Sequence, residues 1–211
     1  MIKKISVCTV VLLAAVSLCS CVKVVKIGEE GKLTGNVEFN AKDNVSEFWE
    51  AARKDIEDRA VDIVEFLKES NGNLKSLVDK YGKYSMGSSG SISYPVKGSG
   101  VVEEVNTEKK AGYILVKPDN YDGNEVIKIQ VGPIYKGSST RDTLDIISFG
   151  DYTNQEEWAA VSQALNTAIE ENVVKPVVNE GLKGKHISFV GTFTADNNDE
   201  LIITPVDLVT D

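Results

Sequence analysis

The chain has 211 residues, enough for one well-buried core or two small ones packed together. Its 32 acidic against 23 basic side chains give a net charge of −9, a surface that repels phosphate backbones and anionic lipid headgroups and so argues against nucleic acid as a partner. Three cysteines and a single histidine, His186, leave no His-Cys, Ser-His-Asp or multi-histidine metal constellation to assemble, so no metal or cofactor is expected.

Met1–Ser20 has the layout of an export signal. Lys3 and Lys4 give a positive start. Ile5–Leu18 is an apolar run shorter than the roughly 20 residues of a membrane-spanning helix, and it ends at small residues with no charged stop-transfer flank. In Leu18-Cys19-Ser20-Cys21 an apolar residue sits three places before Cys21 and a small one directly before it, the pattern of a lipobox, whose cysteine thiol is acylated. Cleavage in front of Cys21 is expected, with lipid on that cysteine. The competing reading is an ordinary cleaved signal that releases a soluble protein with a free thiol. Cys8 and Cys19 leave with the signal, so the mature chain is expected to carry no disulfide and no thiolate chemistry. Removing 20 of 211 residues leaves 191, and losing Lys3 and Lys4 takes the charge from −9 to −11. Two or more acyl chains hold a protein durably on a membrane, whereas one binds marginally.

Val22–Asn40 reads as a tether, with one short edge strand over Val22, Val24, Val25 and Ile27. Asn44-Val45-Ser46-Glu47 then supplies a capping residue with an acid three places on. Val45, Phe48, Trp49, Ala52, Ile56, Ala60, Ile63, Val64 and Leu67 keep helical spacing, which predicts one long amphipathic helix. Ser70-Asn71-Gly72 stops it, and Leu74, Leu77, Val78 and Tyr81 predict a shorter, antiparallel helix ending at Gly82. Phe48 and Trp49 are expected in the core rather than along a ligand groove.

Met86-Gly87-Ser88-Ser89-Gly90-Ser91 marks a boundary, beyond which the pattern turns to strand. Ile92–Val105, with Pro95 and two glycines, predicts an edge strand or a strongly bent one. Gly112–Lys117 answers it across a charged turn, and Ile127, Ile129 and Val131 alternate with Lys128 and Gln130 in a half-buried strand. Gly132-Pro133 breaks that strand. Thr140–Phe149 predicts a short helix with Leu144, Ile146 and Ile147 turned inward. Thr153-Asn154-Gln155-Glu156 opens another helix, with Trp158, Val161, Leu165, Ala168, Ile169 and Val173 on its apolar face and Pro176 ending or kinking it. His186–Phe193 and Leu201–Val209 close the chain as a hairpin around Asp196-Asn197-Asn198-Asp199.

The expected organisation is a signal peptide at 1–20, a lipidated N-terminus and tether at 21–42, a helical subdomain at 43–86 and an OB-like α/β subdomain at 87–211. The fold class is α+β. Three strands, a helix and two strands is the element order of an oligonucleotide/oligosaccharide-binding (OB) barrel, and glycines inside strands (Gly98, Gly100, Gly191) suit sharp barrel bends. An open sheet covered by the helix has the same order.

Several short stretches together resemble the family of predicted periplasmic lipoproteins filed as domain of unknown function 2291. They are Lys26-Ile27-Gly28, Lys97-Gly98-Ser99-Gly100-Val101-Val102, Gln130-Val131-Gly132-Pro133 with Gly137 and Arg141-Asp142, Asn154-Gln155, Ala164-Leu165-Asn166, Gly184-Lys185, Gly191-Thr192-Phe193 and Thr204-Pro205-Val206. The resemblance covers nearly the whole mature chain. It implies a helical subdomain followed by an OB-like one, and genes that often lie beside sugar ABC transporters. It implies no activity.

Arg141, Asp142, Asn154 and Gln155 are the candidate binding residues, since they flank the short helix and are expected to meet at one end of the barrel as a fork for sugar hydroxyls or a partner's backbone. The structural alternative has Asp142 as a cap, Arg141 tying down a carbonyl or acid, and Asn154 and Gln155 beginning a helix. Gly98-Ser99-Gly100 lacks the Lys-Ser/Thr and following helix of a phosphate loop and reads as a bend, while Asp196–Glu200 lacks a calcium loop's glycine. His186 is expected on a strand surface. The expected function is that of a non-catalytic, membrane-anchored lipoprotein facing the periplasm and assisting a transporter, through its protein components or by holding a small sugar. The alternatives are a glycan-processing enzyme with paired carboxylates, and nucleic-acid binding by a basic, aromatic strand face.

Overall fold

In the computed structural model, which describes residues 39–195 and 200–210, the first helix is α1 (Ala41–Arg59). Cys21, the expected signal and tether, the edge strand near Val22 and the turn at 196–199 lie outside the described residues. Asn40 caps α1 with its side-chain oxygen on the backbone N–H groups of Lys42 and Asp43, about one turn earlier than the Asn44 pattern predicts.

The expected single long helix is two. The chain leaves helical geometry at Ala60, and Val61–Asp62 (β1) pairs in parallel with Val96 and Lys97. The Asp62 side chain then caps α2 (Ile63–Ser70) through Val64 N and Glu65 N at 2.9 and 3.0 Å. This break resets the helical phase, so Phe66 becomes fully buried and Val64 does not. Phe66 meets Tyr94 (4.8 Å between centroids) and Phe193 (5.5 Å) edge-on, and Tyr94 lies against Phe193 at 5.4 Å. The Tyr94 hydroxyl donates to Leu74 O at 2.6 Å, and burial pushes its pKa up to about 12. The expected second helix is a 3-10 turn (Leu74–Leu77) leading into α3 (Val78–Tyr81).

Five strands close into a barrel. They are β3 (Ser89–Asn106), β4 (Ala111–Pro118), β5 (Val126–Pro133), β6 (His186–Thr194) and β7 (Glu200–Thr210). They run in the order β3-β4-β5-β7-β6, and β6 returns to β3 through nine consecutive residue pairs from Ser93 to Val101. The β5–β7 pairing is parallel and the other barrel pairings are antiparallel, the connectivity of an OB fold. Strand β3 is bent, as expected, but is not an edge. Its first half also pairs with β2 (Lys83–Met86) and β1, its second half with β4, and it changes neighbour around Gly98–Gly100. At Gly100 a Cβ would lie 2.2 Å from Lys117 O on β4, and at Gly98 it would lie 2.7 Å from the Ile63 side chain of α2, so glycine lets β4 approach at the first position and α2 pack close at the second.

Inward positions alternate along the strands: Ile114 and Val116 on β4, Ile127 and Ile129 on β5, Ile187 and Phe189 on β6, Leu201 and Ile203 on β7. Each buried aliphatic side chain contributes about 1.5–3 kcal/mol. Between β5 and β6 the chain forms α4 (Ser139–Thr143) and α5 (Gln155–Ile169). The expected helix over Thr140–Phe149 is only α4, because Leu144 turns to extended geometry; Leu144 is buried and Ile146 is exposed. Helix α5 buries Val161, Leu165 and Ile169 and widens at its end into a π-helical turn, Glu170–Val174. Helices α1 and α5 pack together, and Arg53 of α1 donates to Val206 O and Asp207 of β7, each at 3.0 Å. Residues Asn40–Asp211 form one compact unit.

Candidate functional site

A cleft of about 860 Å³ opens between the β2–β3 hairpin, the segment that follows α4 and the first turn of α5. The hairpin wall arises from Met86-Gly87-Ser88, where Gly87 takes a positive φ of 66° in the turn and the Ser85 hydroxyl accepts from Ser91 N at 3.1 Å. Tyr84, Ser85 and Met86 line this wall.

The opposite wall is fixed by a buried hydroxyl network under α4. Ser139 Oγ and Thr140 Oγ1 lie 2.9 and 3.1 Å from Thr192 Oγ1 on β6, and Gln130 Nε2 donates to Thr204 Oγ1 at 2.8 Å. Gln130 Oε1 also accepts from Lys136 N, which ties the loop ahead of α4 to the barrel. At the end of α4, Arg59 of α1 donates to Thr143 O at 2.7 Å, and just beyond it Lys83 of β2 reaches Leu144 O and Asp145 Oδ1, the latter at 2.9 Å.

Arg141, Asp142 and Gln155 all line this cleft, so the structure brings together three of the four candidate residues. Arg141 grips Asp142 Oδ1 through Nε and Nη2 at 2.9 and 2.6 Å, and donates to Trp158 O at 3.1 Å and Ser138 Oγ at 3.2 Å. Ser138 Oγ in turn donates to Asp142 Oδ2 at 2.6 Å, and Asp142 is only 8% exposed. Asp142 is thus a buried counter-ion, not the helix cap of the structural alternative, whereas Arg141 does tie down a carbonyl and an acid. Asn154 does not line the cleft; its Oδ1 caps α5 by accepting from Glu157 N at 2.9 Å. Glu157 answers by accepting from Thr153 N, one residue later than the Glu156 of the sequence pattern.

The pattern missed the aromatic part of the cleft. Trp158, expected on a core face, is held by the Arg141 guanidinium 4.5 Å from its ring centroid and by Tyr152 at 5.1 Å. Phe149 stands edge-on to Trp158 at 6.3 Å and is 49% exposed, and Met86 is 69% exposed. The available signal was the apolar group Ile146, Ile147 and Phe149 in a stretch too short to bury all three, and a methionine beside a glycine turn.

Elsewhere, His186 begins β6 half-exposed, with Nε2 2.7 Å from Asp119 Oδ2, and Ser99 Oγ donates to the same oxygen at 2.6 Å. Those contacts, Ser99's first, hold the Asp119 carboxyl below its usual range. The acid lies between serine and histidine, which is not the nucleophile–base–acid order of acyl-transfer enzymes. On the β4–β5 face, Tyr113 donates to Glu104 at 2.9 Å, while Lys128 lies over the Tyr113 ring and pairs with Glu200. That pairing raises the Lys128 pKa and ties up its charge. Among the described residues no cluster of three or more His, Cys, Asp or Glu side chains is placed to hold a metal ion.

A family model described as predicted periplasmic lipoprotein (DUF2291) matches residues 9–209. Among solved structures, an OB-fold protein from Thermotoga maritima is similar over 82% of this chain and 99% of its own, at 20% sequence identity and a TM-score of 0.62. At that identity the likeness shows the fold. No curated protein matches the chain.

Proposed function

The chain belongs to the predicted periplasmic lipoprotein family of unknown function, DUF2291, and from that premise we propose that it is a non-catalytic accessory lipoprotein that holds a small solute in the Arg141 cleft and assists a sugar ABC transporter. Family membership makes it a lipoprotein of the cell envelope that faces the periplasm. In this reading lipid on Cys21 is the anchor, residues 21–42 are the tether, and the folded unit works within reach of a membrane.

The observation that carries the reading is the cleft itself: a preformed hollow of about 860 Å³ with aromatic and hydroxyl-bearing walls. Asp142 is the only carboxylate among its lining residues, and Arg141 and Ser138 both bind it. A glycan-processing enzyme needs two acids facing the bond to be cut, so the cleft composition favours binding over hydrolysis. The paired charges on the β4–β5 face likewise favour a partner other than nucleic acid.

The test uses the full chain in its own membranes. Affinity capture after crosslinking is expected to recover transporter subunits, and replacing residues 1–21 by an ordinary cleavable export signal, which leaves no lipidated cysteine, is expected to move the protein to the soluble fraction and abolish that recovery. Retention of that variant in the membrane would overturn the anchor, and capture without transport components would overturn the accessory role.

A further inference from the structure

Resting on the reading of the cleft as the binding site, we propose that its occupant is an uncharged molecule with a flat apolar face and several hydroxyl groups, a neutral pyranose in the simplest case. Uronic acids, amino sugars and sugar phosphates are excluded.

The charges of the cleft are already spent. Arg141 gives four hydrogen bonds to Asp142, Ser138 and the Trp158 carbonyl, and Lys83 serves Asp145 and the Leu144 carbonyl. An anionic guest that drew Arg141 away would strand the buried Asp142 carboxylate, and a cationic guest that drew Asp142 away would strand Arg141. The positive end of α5 offers an anion nothing further, because Glu156 and Glu157 occupy its first turn.

What the walls leave unused is neutral. Gln155, Tyr84 and Trp158 line the cleft without a side-chain hydrogen bond to any described residue, and their amide, hydroxyl and indole groups are donors and acceptors of the kind hydroxyl groups pair with. Beside them, the half-exposed Phe149 ring, braced by Trp158, presents a flat apolar surface to the C–H face of a sugar ring. A wall that stacks one face and hydrogen-bonds the rim discriminates by unpaired polar groups and uncompensated charge.

The experiment is titration calorimetry on the mature lipidated protein in detergent. The probes are glucose, galactose, mannose and xylose against glucuronate, galacturonate, glucosamine and glucose 6-phosphate. At least one neutral sugar is expected to saturate, and its charged counterparts to bind at least about tenfold more weakly. Phe149→Ala and Gln155→Ala are each expected to weaken the neutral sugar by about tenfold or more, with an unchanged melting temperature because both side chains are exposed. Tighter binding of a charged sugar that still depends on Phe149 would overturn neutrality and leave the cleft as the site. Binding that survives both substitutions, or no heat from any probe with the melt intact, would overturn the site and the inference together.

Discussion

Arg141 and Asp142 are neighbours in the chain, and the sequence marks them as polar residues close to a short helix. Their pairing is not implied by adjacency, since consecutive helical residues face different directions. It arises because Ser138 and the Trp158 carbonyl draw the guanidinium back across its own carboxylate. With side chains 13% and 6% exposed, the pair is worth little net against an apolar substitute, yet removal of one partner leaves the other buried and unpaired. Arg141→Ala is expected to cost about 3–5 kcal/mol in urea unfolding. The double variant Arg141→Ala with Asp142→Ala is expected to recover part of that loss. If the double variant is as unstable as the sum of the two singles, the pair is not the stabilising unit.

The first helical stretch shows how a correct period can yield an incorrect element. Val45, Trp49, Ala52 and Ile56 are buried as the spacing predicts, because local periodicity alone decides the inner face of a continuous helix. The break at Ala60–Asp62 is decided elsewhere, by the stretch of β3 at Val96 and Lys97, between its pairings with β2 and β4, that Val61 and Asp62 join, and by the cap that Asp62 then provides. Past the break the inner face belongs to Ile63, Phe66 and Leu67. Asp62→Ala is expected to cost about 1 kcal/mol as a lost helix cap. Phe66→Ala is expected to cost about 3–5 kcal/mol, well above Val64→Ala, by denaturant midpoint. The reverse order would mean that the helix runs straight.

Across the whole molecule, the helices and the barrel share their fastenings. Arg53 ties α1 to β7, Arg59 ties it to the end of α4, and Phe66 anchors α2 on β3 and β6 through Tyr94 and Phe193. Trp49 lies in α1 and Trp158 in α5, so tryptophan fluorescence reports the helices while far-ultraviolet dichroism reports the barrel as well. The two signals are expected to change in a single coincident transition, and separated midpoints would show that helices and barrel unfold independently. The sequence by itself determined the family, the envelope location, the α+β class and the succession of the five barrel strands along the chain, because these depend on local signals: family-specific short stretches, alternation and capping residues. Only the tertiary structure decided that β3 is the bent hinge of a closed barrel, that the first long helix breaks, and that Phe149, Trp158 and Met86 meet Arg141 around one cleft. Each of those outcomes depends on groups distant in the chain competing for the same backbone edge or the same buried space, and a pattern read along the chain holds no record of that competition.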